Sequence, residues 1–348
     1  MKLKNKKKTK FIATLRQAYN SAKKKISKKK WNWMNCGSER EYTLNENLNF
    51  FRKFKILQKI LVDVSTIKTK KKFLGVDLKF PLIIAPMGYM TQFSKDGEID
   101  LALAANDNNT LICLSAVSSI RIDEILYKRK LNIIYQFYSL EPKKFVLNEI
   151  RKITKFGVKA ICVTADAPVR SFKYDTLEDN YDARKHGRLG LPRPPLNHIP
   201  KLNWKNIKWL RKKTKLPIII KGVMNEADAK KCFNHGADII WVSNHGGRTL
   251  ESGISSLEAL IEIRKKFSNK QIIFDGGIRT GSDIFKSLCL GADVVAIGRP
   301  AIWGLILGGK TGASRILDLF YKEFCSVMGL SGCNDIKKLS KKLIKISK

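Results

Sequence analysis

The sequence predicts a (β/α)8 barrel, and three features support this fold class. After residue 80 the chain contains eight short apolar runs, each run is nearly continuously hydrophobic, and charged amphipathic stretches separate them. Continuous apolar residues are typical of parallel strands that are buried on both faces. The predicted strands are Leu82–Ala85, Leu111–Leu114, Ile133–Phe137, Ala160–Val163, Pro217–Ile220, Ile239–Val242, Gln271–Phe274 and Val294–Ile297.

The stretches between these runs predict helices, among them Ser256–Phe267 and Gly281–Leu290. The second begins with a Ser282-Asp283 capping signal and ends at Gly291. Eight strand–helix units over roughly 230 residues match the size of a (β/α)8 barrel, which is typically ~250 residues. A doubly wound sheet is the rival, but it usually carries GxGxxG after its first strand, where this chain has Pro86-Met87-Gly88.

The regions outside these units are strongly basic. We expect a basic helical segment over residues 1–36, the barrel over 37–334 and a basic helix over 335–348. Residues 1–36 lack the apolar core of a secretory signal. The segment is interpreted as a solvated basic helix, and an amphipathic helix in contact with anionic lipid and a transit peptide are the alternatives.

The composition limits the classes of partner. Lysine and arginine number 67 against 30 acidic residues, a formal net charge of +37. Such a charge invites a nucleic-acid reading, but the lysines are dispersed and no nucleic-acid-binding motif accompanies them, so we expect no nucleic-acid partner. The seven cysteines show no CxxC spacing, and Cys113 and Cys162 lie in apolar runs. We therefore expect buried thiols, no metal site and a cytoplasmic protein.

Polar residues or glycines follow every predicted strand. Active sites of (β/α)8 barrels lie at the C-terminal ends of the strands, so these residues are the candidate site. They are Pro86, Met87, Gly88, Ser115, Gln136, Tyr138, Thr164, Asp166, Lys221, Ser243, His245, Asp275, Gly276, Gly277, Gly298 and Arg299.

Two glycine-rich turns carry arginines, Arg279 after the seventh strand and Arg299 after the eighth. This pattern predicts the phosphate site that is usual at this position of the fold. Ser243–Arg248 places an imidazole, His245, near a guanidinium, Arg248. A base beside an anion clamp suits proton abstraction from a carboxylate substrate.

Lys221 ends an apolar strand and must meet an anion to offset its desolvation. It is either a Schiff-base lysine or a cation at the edge of a flavin. Gln136, Thr164 and Ser115 offer the neutral hydrogen bonds that a flavin ring edge uses.

Five motifs together resemble the FMN-dependent L-2-hydroxy-acid oxidising family, from about Gly37 to about Leu330. That family includes glycolate oxidase, lactate oxidase, lactate monooxygenase, and the lactate and mandelate dehydrogenases. The motifs are Gln136-Phe137-Tyr138, Val163-Thr164-Ala165-Asp166, Ile220-Lys221-Gly222, Ser243-Asn244-His245-Gly246-Gly247-Arg248 and Asp275-Gly276-Gly277-Ile278-Arg279.

The resemblance implies an FMN cofactor and oxidation of a small, lactate-like L-2-hydroxy acid to the 2-oxo acid. It implies that His245 is the base and that Asp166 orients and charges it. Arg248 would hold the substrate carboxylate, and Tyr138 would bond the hydroxyl or carboxylate. Lys221 would stabilise the N1–C2 side of the flavin. Relatives of this family are often homotetramers.

Four positions depart from the family pattern. Trp33 stands where relatives have a substrate-binding tyrosine, and Lys173 where they have a second carboxylate-binding arginine, so we expect Lys173 to bind substrate. Gly88, at the position facing flavin N5, is alanine in typical oxidases, and Val117 replaces a bulky aromatic residue. The electron acceptor, oxygen or a quinone or carrier, therefore stays open, as does an FMN-barrel isomerase or a phosphate-substrate aldolase on the same fold.

Overall fold

A computed structural model describes residues 12–127, 129–185 and 201–347. Eight parallel strands close into a barrel in which each strand pairs with its neighbours in chain order and the last pairs with the first. The barrel strands are β4 (Leu82–Ile84), β5 (Ile112–Leu114), β6 (Ile133–Phe137), β7 (Ala160–Thr164), β8 (Ile218–Val223), β9 (Ile239–Val242), β10 (Gln271–Phe274) and β11 (Val294–Ile297). The predicted (β/α)8 barrel is thus confirmed, and its largest difference from the predicted strands is the extension of β8 to Val223.

Helices pack around the barrel, and three more form the segment that precedes it. They are α1 (Leu15–Lys25), α2 (Lys28–Asn35), α3 (Tyr42–Asn49), α4 (Gly97–Asp107), α5 (Ile122–Leu126), α6 (Lys143–Lys155), α7 (Tyr174–Glu178), α8 (Trp204–Lys213), α9 (Glu226–Asn234), α10 (Ser256–Lys266), α11 (Gly281–Cys289) and α12 (Arg299–Leu330). Helix α12 breaks at Gly308 and Gly309. In the described part of the chain, none of the helices combines the length and apolarity needed to cross a membrane.

The apolar residues form two layers. Alternate strand residues point inward and fill the barrel, where they meet Phe73, Val76 and Leu78 of a hairpin formed by β2 (Lys71–Phe73) and β3 (Val76–Leu78). The other strand residues pack outward against the helices. Cys113 and Cys162 are buried in the inner layer, as the apolar runs predict. A packed interior leaves only the ends of the barrel for a ligand.

The two basic terminal segments differ from each other in structure. Helices α1 and α2 confirm the helical prediction for residues 15–35, whereas residues 1–11 lie outside the described part. The predicted helix over 335–348 is wrong: it is two short 3-10 turns, Ile336–Lys338 and Lys341–Leu343, followed by β12 (Ile344–Ile346). Strand β12 pairs antiparallel with β1 (Phe54–Ile56) because its alternating isoleucine and lysine residues suit a half-buried edge strand.

Candidate active site

A cleft opens at the C-terminal end of the barrel, where the strand-end residues converge. It contains roughly 1020 Å³ of space free of atoms, including its opening to solvent. Thirteen predicted site residues lie on its wall: Pro86, Met87, Gly88, Tyr138, Lys221, His245, Arg248, Asp275, Gly276, Gly277, Arg279, Gly298 and Arg299. These residues meet here because a (β/α)8 barrel places the C-terminal ends of all its strands on one face.

His245 and Asp166 form a close polar pair at the mouth. His245 Nδ1 lies 2.8 Å from Asp166 Oδ1, which fixes the tautomer with the proton on Nδ1 and leaves the Nε2 lone pair basic. Burial lowers the pKa of His245, and the Asp166 carboxylate only partly offsets this. The imidazole is therefore neutral near pH 7 and able to accept a proton.

The backbone around this pair is strained and tightly packed. His245 has φ of 59°, a left-handed conformation that is uncommon outside glycine. Gly222 has φ of +101°, and a Cβ on it would lie 2.7 Å from Asp166 Cγ. Glycine after Lys221 therefore gives the carboxylate room to reach the histidine.

Lys221 joins both carboxylates of the site. Its ammonium lies 3.5 Å from Asp166 Oδ2 and 3.9 Å from Asp275 Oδ2, and it donates to Ser243 Oγ at 2.8 Å. Ser243 Oγ in turn donates to Asp275 Oδ1 at 2.6 Å. Although burial opposes it, these carboxylates raise the pKa of Lys221, so the lysine stays charged. Burial also opposes ionisation of Asp166, but Lys221 and His245 lower its pKa to about 2.

Arg279 and Arg299 form a cationic end of the cleft. Arg279 donates to Ile278 O at 2.8 Å and lies 5.7 Å from the centre of the Trp303 ring. Burial lowers the pKa of Arg279 to about 10, and burial with repulsion from Arg248 and Arg279 lowers that of Arg299 to about 9. Such crowded cations are stabilised by a bound anion, as a phosphate site requires.

The main chain of residues 33–36 holds Arg248. Its guanidinium donates to the carbonyl oxygens of Trp33 at 3.0 Å, Met34 at 3.2 Å and Cys36 at 2.7 Å. Three of its five N–H donors are used in this way, and the Nε edge has no hydrogen bond within the described residues. A side-on carboxylate bound at this edge would complete its coordination.

Comparison with known proteins identifies the family. Residues 22–346 match the model of the FMN-dependent dehydrogenases. The chain belongs to the FMN-dependent dehydrogenase family. It is 34% identical over 352 residues to the 2-hydroxyacid oxidase of Dictyostelium discoideum, covering 96% of this chain and 90% of the relative. It is 33% identical over 343 residues to the L-lactate oxidase of Nostoc sp., covering 91% and 93%.

A solved structure gives the same answer for the fold. A soluble mutant of the membrane-associated (S)-mandelate dehydrogenase from Pseudomonas putida superposes with a TM-score of 0.92 at 27% identity, covering 97% of this chain and 100% of that chain. As a member of this family, the protein is an FMN-dependent oxidoreductase of the 2-hydroxy-acid oxidase and dehydrogenase group.

The residues present fit the FMN of an FMN-dependent dehydrogenase. Gln136 Oε1 is buried and has no hydrogen-bond partner among the described residues, while its Nε2 donates to Thr164 Oγ1 at 2.6 Å. Arg299 Nε is buried and likewise unpartnered. Unpaired buried polar atoms are costly, so a ligand that bonds them explains their presence. Arg279 and Arg299 would hold the phosphate, and Lys221 and Gln136 the ring edge.

Several other predicted residues are not among those that line the cleft wall. Ser115, Gln136, Thr164 and Ser243 are buried, and Asp166 contacts His245. Lys173 is not on the wall: its ammonium donates to Ser171 Oγ, and Ser171 Oγ donates to the carbonyl oxygen of Arg248 at 2.7 Å. Burial and repulsion from Arg248 lower the pKa of Lys173 to about 8.

The sequence reasoning missed two groups of functional residues. Trp33, noted only as a departure, lies on the cleft wall with Met34 and Tyr89, for which no motif gave a signal. Asn47 exchanges two amide hydrogen bonds with Asn244, at 2.8 and 2.9 Å, and so fixes the loop before His245. Asparagine in a helix carries no signature of such a partner.

Proposed function

We propose that this FMN-dependent dehydrogenase oxidises a small, lactate-like L-2-hydroxy acid to the 2-oxo acid. The observation that carries the proposal is the 2.8 Å contact of His245 Nδ1 with Asp166, on a cleft wall shared with Arg248. A neutral imidazole on the same cleft wall as a guanidinium edge that no described residue bonds suits a substrate that has a carboxylate beside the carbon to be oxidised.

His245 Nε2 takes the proton of the substrate, and Asp166 stabilises the resulting imidazolium. Arg248 binds the carboxylate, and Lys173 adds positive charge behind it. Burial raises the pKa of Tyr138, so its phenol stays protonated and donates a hydrogen bond to the substrate. Its ring stacks near His245 with the two ring centres 6.5 Å apart. FMN supplies the two-electron acceptor when bound.

The test is spectroscopic. Protein loaded with FMN should lose its oxidised flavin absorbance when L-lactate or a related L-2-hydroxy acid is added without oxygen, and the D enantiomer should have no effect. His245→Ala should keep its flavin but bleach slower by about 10²- to 10⁴-fold, the usual contribution of a general base. Wild-type bleaching rates in this variant would contradict the role of His245.

The alternative proposal concerns the electron acceptor, a quinone or carrier in place of oxygen. Gly88 supports it, because a Cβ there would lie 2.6 Å from Val117 O and closer still to Val117 Cγ2. The loop therefore disfavours the alanine that is typical of oxidases. Mixing the bleached protein with oxygen tests this proposal. If the oxidised flavin absorbance returns more slowly than the enzyme turns over, the result supports the dehydrogenase.

We also propose that the protein makes peripheral contact with anionic membranes through helices α1 and α2. Lys23, Lys24, Lys25, Lys28 and Lys29 are all exposed there. Residues 12–38 contain no acidic residue. Co-sedimentation with phosphatidylserine vesicles, but not with phosphatidylcholine vesicles, would support this contact. We propose further that the protein is a homotetramer, and light scattering of the protein without vesicles tests this.

A further inference from the structure

Residues Trp33–Gly37, here called the strap, link the two cationic groups of the cleft. The carbonyl oxygen of Cys36 accepts from Arg248 Nη1 at 2.7 Å and from Arg299 Nη2 at 3.2 Å. A displacement of this one carbonyl therefore moves the guanidinium assigned to the substrate and the one assigned to the FMN phosphate. The position of the strap matters for both ligands.

Glu41 anchors the end of the strap. Its Oε1 accepts a hydrogen bond from the Gly37 amide at 2.7 Å, and its own amide donates to Ser38 O at 2.8 Å. Gly37 has little freedom in the other direction, since a Cβ on it would lie 3.0 Å from Gly247 O. The residue after Cys36 is thus fixed between the His245 loop and one carboxylate oxygen.

We propose that Glu41 is a positioning residue of the active site, holding the strap so that Cys36 O aligns Arg248 for the substrate and Arg299 for FMN. This inference rests on the proposed function of the cleft. Glu41 is not on the cleft wall, so it acts through the strap and makes no contact with the reacting atoms.

Glu41→Ala removes the acceptor and leaves the Gly37 amide unpaired. A hydrogen bond to a charged group contributes enough that we expect about a five- to tenfold rise in KM for the hydroxy acid and in the Kd for FMN. The bleaching rate at saturating substrate should stay within about twofold of wild type, because the His245–Asp166 pair is intact. A rise in KM with an unchanged kcat indicates a loss of binding that is equal in the ground state and the transition state.

Three further variants separate positioning from folding and from charge. Glu41→Gln keeps an oxygen acceptor at the same reach and should restore both constants to within about twofold of wild type. Glu41→Asp keeps the charge but withdraws the oxygen by one methylene, so it should resemble the alanine variant. Glu39→Ala is the matched control, since Glu39 also has a positive φ, 43°, and its carboxylate has no hydrogen bond in the described part of the chain.

Titration of the apoprotein with FMN, followed by flavin fluorescence, measures the Kd for FMN. Anaerobic bleaching at a series of hydroxy-acid concentrations measures the KM. Elevated Kd and KM in the alanine and aspartate variants, with recovery in the glutamine variant, support the proposal. Wild-type constants in Glu41→Ala, or a glutamine variant as impaired as the alanine variant, overturn it. If Glu41→Ala does not fold, the glutamine and aspartate variants decide. Wild-type protein that binds FMN but is bleached by no 2-hydroxy acid refutes the proposed function instead, and the FMN constants still test the strap.

Discussion

Replacement of Asp166 by asparagine tests how much the carboxylate contributes to the base. Asparagine keeps the shape and a hydrogen-bonding oxygen but removes the charge that stabilises the imidazolium. At a charge separation of about 4 Å and an effective dielectric constant of about 20, that interaction amounts to about 4 kcal/mol. Because the His245 side chain is 24% exposed, solvent screens part of it. About 3 kcal/mol remains, so the bleaching rate should fall about 100-fold.

The pH dependence should change in a defined direction. The base is active only when His245 is neutral, so the rate rises with pH through the pKa of His245 and then reaches a plateau. Burial already lowers this pKa, and Asp166 is the main group that raises it. Asp166→Asn removes this contribution and lowers the pKa of His245 further. The increase of the rate with pH should therefore occur at lower pH, while the plateau rate falls.

Rapid mixing without oxygen measures both the plateau of the bleaching rate and the pH at which the rate rises. FMN-loaded wild type and Asp166→Asn are mixed with saturating L-lactate between pH ~5 and ~8, the range in which histidine titrates. Asp123→Asn is the control, since Asp123 pairs with Arg121 at 2.8 Å on the surface. A plateau within about tenfold of wild type, or a rise displaced to higher pH, would refute the assigned role of Asp166.

Three other substitutions test the remaining parts of the site. Gly88→Ala should lower the free energy of unfolding by about 1–3 kcal/mol, because the added Cβ contacts Val117. Adding Val117→Ala should relieve only part of this loss, because the contact with the Val117 carbonyl oxygen persists. If thermal unfolding shows that the effects of the two substitutions are strictly additive, the reasoning is contradicted. The wild-type KM should rise above pH about 8 as Lys173 loses its charge, whereas Lys173→Arg should have a KM independent of pH there. Arg279→Ala should raise the Kd for FMN about ten- to a hundredfold in a fluorescence titration, and an unchanged Kd would move the phosphate elsewhere.

The barrel was predictable because its signal is local. Each barrel strand is an apolar run that is buried on both faces, and eight such runs appear in the printed sequence. The C-terminal segment was predicted wrongly for the converse reason. Residues 344–346 become a strand only because Phe54–Ile56 lies beside them, and that pairing spans almost the whole chain.

The side chains that meet in the cleft were predictable as well, since a barrel places every strand end on one face. The contribution of the main chain to the site was not predictable. Arg248 is held by Cys36 O, 212 residues away in sequence, and no motif encodes a carbonyl oxygen. Gly222 follows Lys221 so that Asp166 fits, a requirement visible only after β7 and β8 are placed side by side.

The glycines after β10 show how one motif can have two causes. Gly276 and Gly277 favoured a phosphate site in the sequence, yet both approach neighbouring helices closely. A Cβ on Gly277 would lie 2.8 Å from the Asn47 carbonyl carbon of α3, and one on Gly276 would lie 3.2 Å from Ser256 Cβ of α10 and closer still to Ser256 Oγ. Packing against Asn47 and Ser256 is therefore sufficient to require the two glycines. The proposal of a phosphate site rests instead on Arg279 and Arg299, two buried guanidinium groups that repel each other on the cleft wall.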